Sequence, residues 1–541
     1  MPIEPSGTAF DFIIVGGGTA GCILAERLSA DGRHTVALLE AGGEARSPWT
    51  VVPAGFYKLL TNPSYNWNFH TEPEPATCMR EIAVPRGKGL GGSTLINGMI
   101  YVRGQPQDYN RWAQRGCAGW GFDDVEPVFR RLETYTGPDR DDARGKDGPL
   151  PVCEVEERPA IAEAFISAGE AAGYRRNPDY NGASQDGFGY YQVNQKSGRR
   201  VSAAAAWLAP ARSRKNLAVL TDTFAVKLLL SEGRAAGVEV KRHGKAEHLS
   251  ARCEVILAAG AVQSPQLLEL SGIGRPEVLK AAGIEPRHIL SGVGENYLDH
   301  FCTRMNWRVS RPETLNEETR GWRLLRAVAR YALARKGVLT FGTGLAHGFV
   351  RTREGLEGPD VQFFFMHASY ANAAERKLDR FPGMTLGVTQ LRPESRGTIH
   401  ILSPDPARQP AIRPNFLATA EDRRAMVEGM KIGRTVMEQA PMDAFRVREM
   451  SPGKDCVSEE DWLDFARRNG QTIYHTAGTC RMGGEADPDC VVDARLRVRG
   501  IKGLRIIDAS VMPEMVSGNT QAAVMMIADK GADLVLADAR G

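Results

Sequence analysis

Gly16, Gly18 and Gly21 stand in G-x-G-x-x-G spacing, directly after the apolar run at residues 12–15 and before a helical pattern at Ile23, Leu24, Arg27 and Leu28. Each glycine has a separate task. Gly16 permits a tight turn, Gly18 lets backbone approach a pyrophosphate, and Gly21 lets the helix pack on the strand. The start of that helix offers free N–H groups and partial positive charge to phosphate. A second apolar strand, residues 36–39, ends in Glu40. Its carboxylate accepts hydrogen bonds from ribose hydroxyls and repels a 2′-phosphate. This arrangement binds the ADP half of FAD or NAD, not NADP.

Two further glycine-bearing segments could touch the same ligand. Residues 85–97, PRGKGLGGSTLIN, resemble a phosphate loop, but Lys88 precedes the glycine pair instead of following it, which disfavours a nucleotide triphosphatase. Backbone N–H groups there can still close on a large ligand. Residues 260–274 follow a buried strand at 254–258 with a small turn, a helix and a glycine stop, at the strand end where open α/β sheets bind ligands. His475 lies in YHTAGTCRMG and Asn519 just before a final helix, residues 520–536. By itself His475 is one of ten histidines and reads as a loop residue. His300, His347 and His367 read equally blandly, although His367 and Phe364 or Phe365 are candidates to face a substrate. No His/Cys/Asp cluster has metal-ligand spacing, so no metal is expected, and no G-x-S-x-G elbow is present.

The elements that must position these residues belong to an α/β chain too long, at 541 residues, for one simple core. Hydrophobic content of 42%, charged content of 25% and a net charge of +3 describe an ordinary globular protein with no basic patch for nucleic acid. Residues 1–10 lack signal-peptide character, and no run of about 18 apolar residues exists, so no transmembrane segment is expected. Peripheral contact with a membrane stays open. Nine scattered cysteines without C-x-x-C read as reduced thiols, which fits a cytoplasmic location. The run at 48–75 holds Trp67 and Phe69, which either line a pocket or cover a core. Residues 137–149 read as an exposed charged excursion, and 177–200 as loops or a hairpin over a second lobe. Segments 217–220, 226–230 and 235–240 read as a three-stranded meander, and 306–455 as a substrate lobe of mixed helices and strands.

In combination, the fingerprint at 16–40, the loop at 87–109, the segment at 260–274 and the blocks around His475 and Asn519 resemble the glucose–methanol–choline (GMC) oxidoreductase family of flavoproteins. The resemblance spans nearly the whole chain and is nearest to the choline, sorbose and aliphatic alcohol dehydrogenase branch. It implies a discontinuous Rossmann-like FAD-binding domain (1–155, 200–305 and 470–541) and an α+β, sheet-and-helix substrate-binding domain (156–199 and 306–469). Carried over residue by residue, Gly16, Gly18, Gly21 and Glu40 hold the ADP moiety. Gly91, Asn97, Gly98 and Met99 lie along the flavin, with Asn519 and Thr520 at the final helix. Val226 and Gly260 sit by the adenosine end, and Asp508 and Ala509 reach the pyrophosphate and ribityl region. Where some members attach FAD to a His, this chain has Ile96, which implies non-covalent FAD.

His475 and Asn519 match the family's catalytic pair. The resemblance implies FAD-dependent oxidation of an alcohol, a primary one, to an aldehyde or ketone by hydride transfer to flavin N5. Neutral His475 takes the hydroxyl proton and Asn519 clamps the alkoxide-like oxygen. Electrons then pass to a quinone-type acceptor or to O2. A flavin-containing lyase and a photodecarboxylase occur on the same scaffold, and a nicotinamide dehydrogenase shares only the fingerprint.

Overall fold

The computed structural model describes residues 8–139, 141–372 and 377–540. Two seven-stranded sheets organise it. In the first, Ala9–Val15 lies between Val36–Leu39 and Lys245–Leu257, all parallel, with Leu217–Leu220 and Leu504–Ile506 paired parallel outside them. All four residues of Val36–Leu39 are buried, as befits a strand covered on both faces. The register sets Val15 beside Leu39 and Leu257, so three carboxyl ends finish level. The helices Thr19–Ser29 and Gly260–Leu270 begin at that edge, where open parallel sheets leave room for ligands.

The meander is Thr223–Ser231, Arg234–Arg242 and Lys245–Leu257, paired antiparallel. The expected first member, Leu217–Leu220, instead joins the parallel sheet. A four-residue apolar run fits either place, and the left-handed backbone at Asp222 redirects the chain between the two. The expected strands at 226–230 and 235–240 are there, and the buried strand expected at 254–258 is the end of a longer one that completes the meander. Lys245–Leu257 pairs first with the meander and then with Ala9–Val15.

The second sheet runs Arg446–Ser451, Phe301–Val309, Gly383–Gln390, Val361–Met366, Ala346–Val350 and Gly187–Tyr190, with Gln471–Thr472 paired to the start of Phe301–Val309. Ala160–Ala171 and Ala420–Met437 cover one face. Phe165 stacks on Phe365 at 4.5 Å, and Gly429 lies against Val361 and Val388. The other face looks toward the first sheet's carboxyl edge. Segment 177–200 does hold a short hairpin, Gln195–Lys196 with Arg199–Arg200, but it is more than surface, since all four residues of Gly187–Tyr190 are buried. A side chain at Gly189 would stand 2.2 Å from the Asn177 carbonyl, so glycine lets this strand lie close. Within 137–149 the expected exposure also fails at two residues, Arg144 and Gly145. Arg144 is buried, bound at 2.8 Å to both Glu133 and Asp179. Arg140 lies outside the described residues.

Candidate active site

One elongated cavity joins the two sheets. Val15, Gly16, Gly18, Glu40 and Gly260 line one end, and Cys302, Arg304, Phe364, His475 and Asn519 the other. Asn97, Gly98, Met99, Asp508, Ala509 and Thr520 lie along it. Three expected site residues stand off the lining. Gly21 packs where an added Cβ would sit 1.8 Å from the Gly16 carbonyl, which is the helix–strand task read from its spacing. Gly91, at φ +104°, donates its N–H to the Gly17 carbonyl at 2.8 Å and so ties the second glycine loop to the first. Val226 falls at an irregularity of the meander pairing, and its neighbours Phe224 and Ala225 line the cavity.

The cavity's first end fits FAD. A Cβ on Gly18 would find only Gly92 within 4 Å, so this glycine faces open space, and the helix it caps has no side chain over its N–H groups. Glu40 accepts N–H bonds from Gly17, Gly42 and Gly89 at 2.9, 2.7 and 2.9 Å. It thus clasps both glycine loops while lining the cavity, and burial raises its pKa. Asp508 accepts from the Gly260 N–H at 2.8 Å and from Ser264 at 2.6 Å. Burial raises its pKa too. The final helix, Gln521–Arg540, directs its N-terminus at the lining residues Asn519 and Thr520. Ile96 lines the wall and offers no nucleophile for attachment.

At the other end the hydrogen bonds fix a tautomer. His300 Nε2 lies 3.0 Å from the Leu391 carbonyl, which can only accept, so Nε2 carries the proton and Nδ1 a lone pair. His475 Nδ1 is 2.8 Å from that Nδ1 and must donate to it. His475 Nε2 is left as an acceptor in the cavity, 3.2 Å from Asn519 Nδ2. Gln362 in turn donates to Asn519 Oδ1 at 3.4 Å, which orients the amide. Asp299 holds the backbone of the pair, accepting from the N–H groups of His300 and His475 at 2.8 Å each. Burial lowers the pKa of His300 to about 4. Burial first, then electrostatic coupling to His300 and the charge of Arg86, holds His475 well below its ordinary value. Both rings are therefore neutral at pH 7.

His300 is the functional residue that the sequence reading passed over. Its partner is 175 residues away, and no local pattern marks the pair. His347, with a pKa lowered to about 3, and His367, lowered to about 4, are buried away from the cavity. Of the aromatic candidates, Phe364 and Trp67 line the cavity, while Phe365 and Phe69 belong to cores. Among the described residues no group of three His, Cys, Asp or Glu could hold a metal ion.

The GMC oxidoreductase family models match residues 10–302 and 393–528. An oxygen-dependent choline dehydrogenase of Photobacterium profundum is 39% identical, covering 98% of this chain and 93% of the relative. An alcohol dehydrogenase [acceptor] of Pseudomonas putida is also 39% identical, covering 97% of this chain and 96% of the relative. Among solved structures, pyridoxine 4-oxidase from Mesorbium loti superposes with a TM-score of 0.87 at 32% identity, covering 97% of this chain and 98% of that one. With its cavity, paired glycine loops and full-length relatives, this chain belongs to the GMC oxidoreductase family.

Proposed function

We propose that this chain oxidises the CH–OH carbon of a small, primary alcohol to a carbonyl, with His475 as the base, Asn519 as the oxygen clamp and FAD held non-covalently. The carrying observation is the Nε2 lone pair of His475, aimed into the cavity beside the Asn519 amide. FAD, when bound, supplies the hydride acceptor at flavin N5. The alcohol O–H donates to His475 Nε2, and as the C–H electron pair departs as hydride the proton moves onto that nitrogen. Asn519 Nδ2–H donates to the oxygen while negative charge builds there. The lowered pKa keeps the imidazole unprotonated at pH 7. Phe364 and Met366 wall the space with apolar surface.

The relatives named above are dehydrogenases and an oxidase, which supports oxidation over the lyase and photodecarboxylase readings. The described residues of 1–155, 200–305 and 470–541 form the cofactor unit and those of 156–199 and 306–469 the substrate unit, with Phe301–Val309 as a wall shared across their border. No helix among the described residues is long and apolar enough to cross a membrane. Helix Gly321–Ala334 nevertheless exposes Trp322, Leu325 and Leu333 at 65, 72 and 89%, among Arg320, Arg323, Arg326, Arg330 and Arg335. This combination fits peripheral contact with an anionic membrane surface and favours a membrane-borne, quinone-type acceptor over O2. The nine free thiols support a cytoplasmic location.

The test is anaerobic. Addition of an alcohol substrate bleaches the bound flavin, and His475→Ala slows that bleaching at least about 100-fold while FAD stays bound. Wild-type reduction at a rate independent of His475 overturns the base assignment. A flavin left oxidised by every primary alcohol overturns the activity.

A further inference from the structure

We propose that the substrate is a hydroxy acid, its anionic group held by Arg304 and its CH–OH carbon held at His475, with an apolar stem between them. This rests on the alcohol-oxidising reading above. Two arginines line the cavity, and they differ. Arg86 is committed to backbone, donating to the Pro85 carbonyl at 2.8 Å and to the Tyr474 carbonyl. Arg304 is half-buried on the lining and forms no ion pair or side-chain hydrogen bond among the described residues. The only carboxylates on the lining, Glu40 and Asp508, lie at the cofactor end and are already bonded to protein N–H and O–H groups. The substrate end therefore holds a positive charge with no counter-charge among the described lining residues. An anion on the substrate supplies it, in charge-assisted and frequently bidentate geometry.

Strand register places the anion relative to the chemistry. Cys302, Thr389 and Gln362 form one cross-strand row, and Gln362 touches the Asn519 amide. Arg304, Gly387 and Phe364 form the next row on the same face. Arg304 is thus about 7 Å along the strands and about 10 Å across them from Gln362 at the backbone. Gly387 lies between Arg304 and Phe364 without a side chain, which leaves a trough for the stem. A Cβ there would come within 3.3 Å of Phe364 and 3.4 Å of Cys302. Such spacing favours an acid with its hydroxyl several carbons away over a 2-hydroxy acid, whose two groups are adjacent. A quaternary ammonium alcohol such as choline would bring like charge to Arg304.

The experiment compares 6-hydroxyhexanoate, 1-hexanol and choline by stopped-flow flavin reduction with the FAD-loaded enzyme, without oxygen. The acid should exceed 1-hexanol in kcat/KM at least about tenfold, and choline should be slowest. Arg304→Met should cut the acid-to-hexanol ratio at least about tenfold, and Arg304→Lys, which keeps the charge, should retain an acid preference. Hexanoate should inhibit competitively, less so in Arg304→Met. An acid-to-hexanol ratio near one in the wild type, or one unchanged by Arg304→Met, overturns the proposal. Reduction by none of the three alcohols speaks against the activity itself. Hexanoate binding, read as a shift in flavin absorbance, still decides the Arg304 site in that case.

Discussion

Replacing His300 with Phe should slow flavin reduction without emptying the FAD site. The ring shape is kept and both nitrogens are lost, so the His475 Nδ1–H loses its acceptor and the Leu391 carbonyl its donor. His300 is fully buried and His475 nearly so, and a buried donor left unmet costs about 1–3 kcal/mol. His475 escapes that cost by moving its proton to Nε2, where the Asn519 carboxamide can turn to accept it. That tautomer has no lone pair on the nitrogen that faces the substrate. A cost of this size corresponds to a loss of about 5- to 150-fold in reduction rate. This is smaller than the factor of about 10²–10⁴ typical of removing the base itself. A tautomer ratio does not depend on pH, so the loss should be equal at pH 7 and pH 9. His300→Gln should restore much of the rate, since its amide can accept from His475 and donate to Leu391. Stopped-flow reduction across pH 5 to 9, with FAD content from the absorbance spectrum, makes the measurement. Wild-type rates in His300→Phe, or a Gln variant no better than Phe, would refute the tautomer argument.

Three other outcomes are expected. Acid or heat should release all flavin into the supernatant, because Ile96 occupies the wall where an attaching nucleophile would be needed; flavin that stays with the precipitate contradicts this. Gly18→Val should fold yet purify without FAD, because the added side chain enters open cavity, whereas Gly21→Ala should fail earlier, as a folding lesion against the Gly16 carbonyl; circular dichroism and flavin absorbance separate the two. Wild-type protein should float with vesicles containing anionic phosphatidylserine and not with neutral ones, and Trp322→Ser with Leu325→Ser should abolish this; equal flotation of the double variant removes that helix from the contact.

What the sequence makes legible here is local. The glycine fingerprint, its strand and its helix lie within thirty residues, and one turn's stereochemistry explains every glycine in it. The site residues His475 and Asn519 became visible only through the family pattern, because a histidine beside glycine and threonine has no chemistry of its own. Long-range pairing was illegible. Leu217–Leu220 looked like a meander strand because four apolar residues carry no record of whether their neighbour is parallel. Gly187–Tyr190 looked like part of a loop or surface hairpin because its glycines serve close backbone approach, not a turn. His300 is the sharpest case. Its role exists only because Phe301 pairs with Thr472, which sets residue 300 opposite residue 473, two positions before His475, and lets one ring nitrogen meet the other. The same strand then carries Cys302 and Arg304 onto the cavity face by simple alternation. A single register thus sets both the base's tautomer and the position of a cation at the substrate end of the cavity. Slipping that pairing by one residue would turn all three side chains into the helix-packed core. The chemistry is therefore encoded less in any one residue than in the alignment of two short strands far apart in the chain.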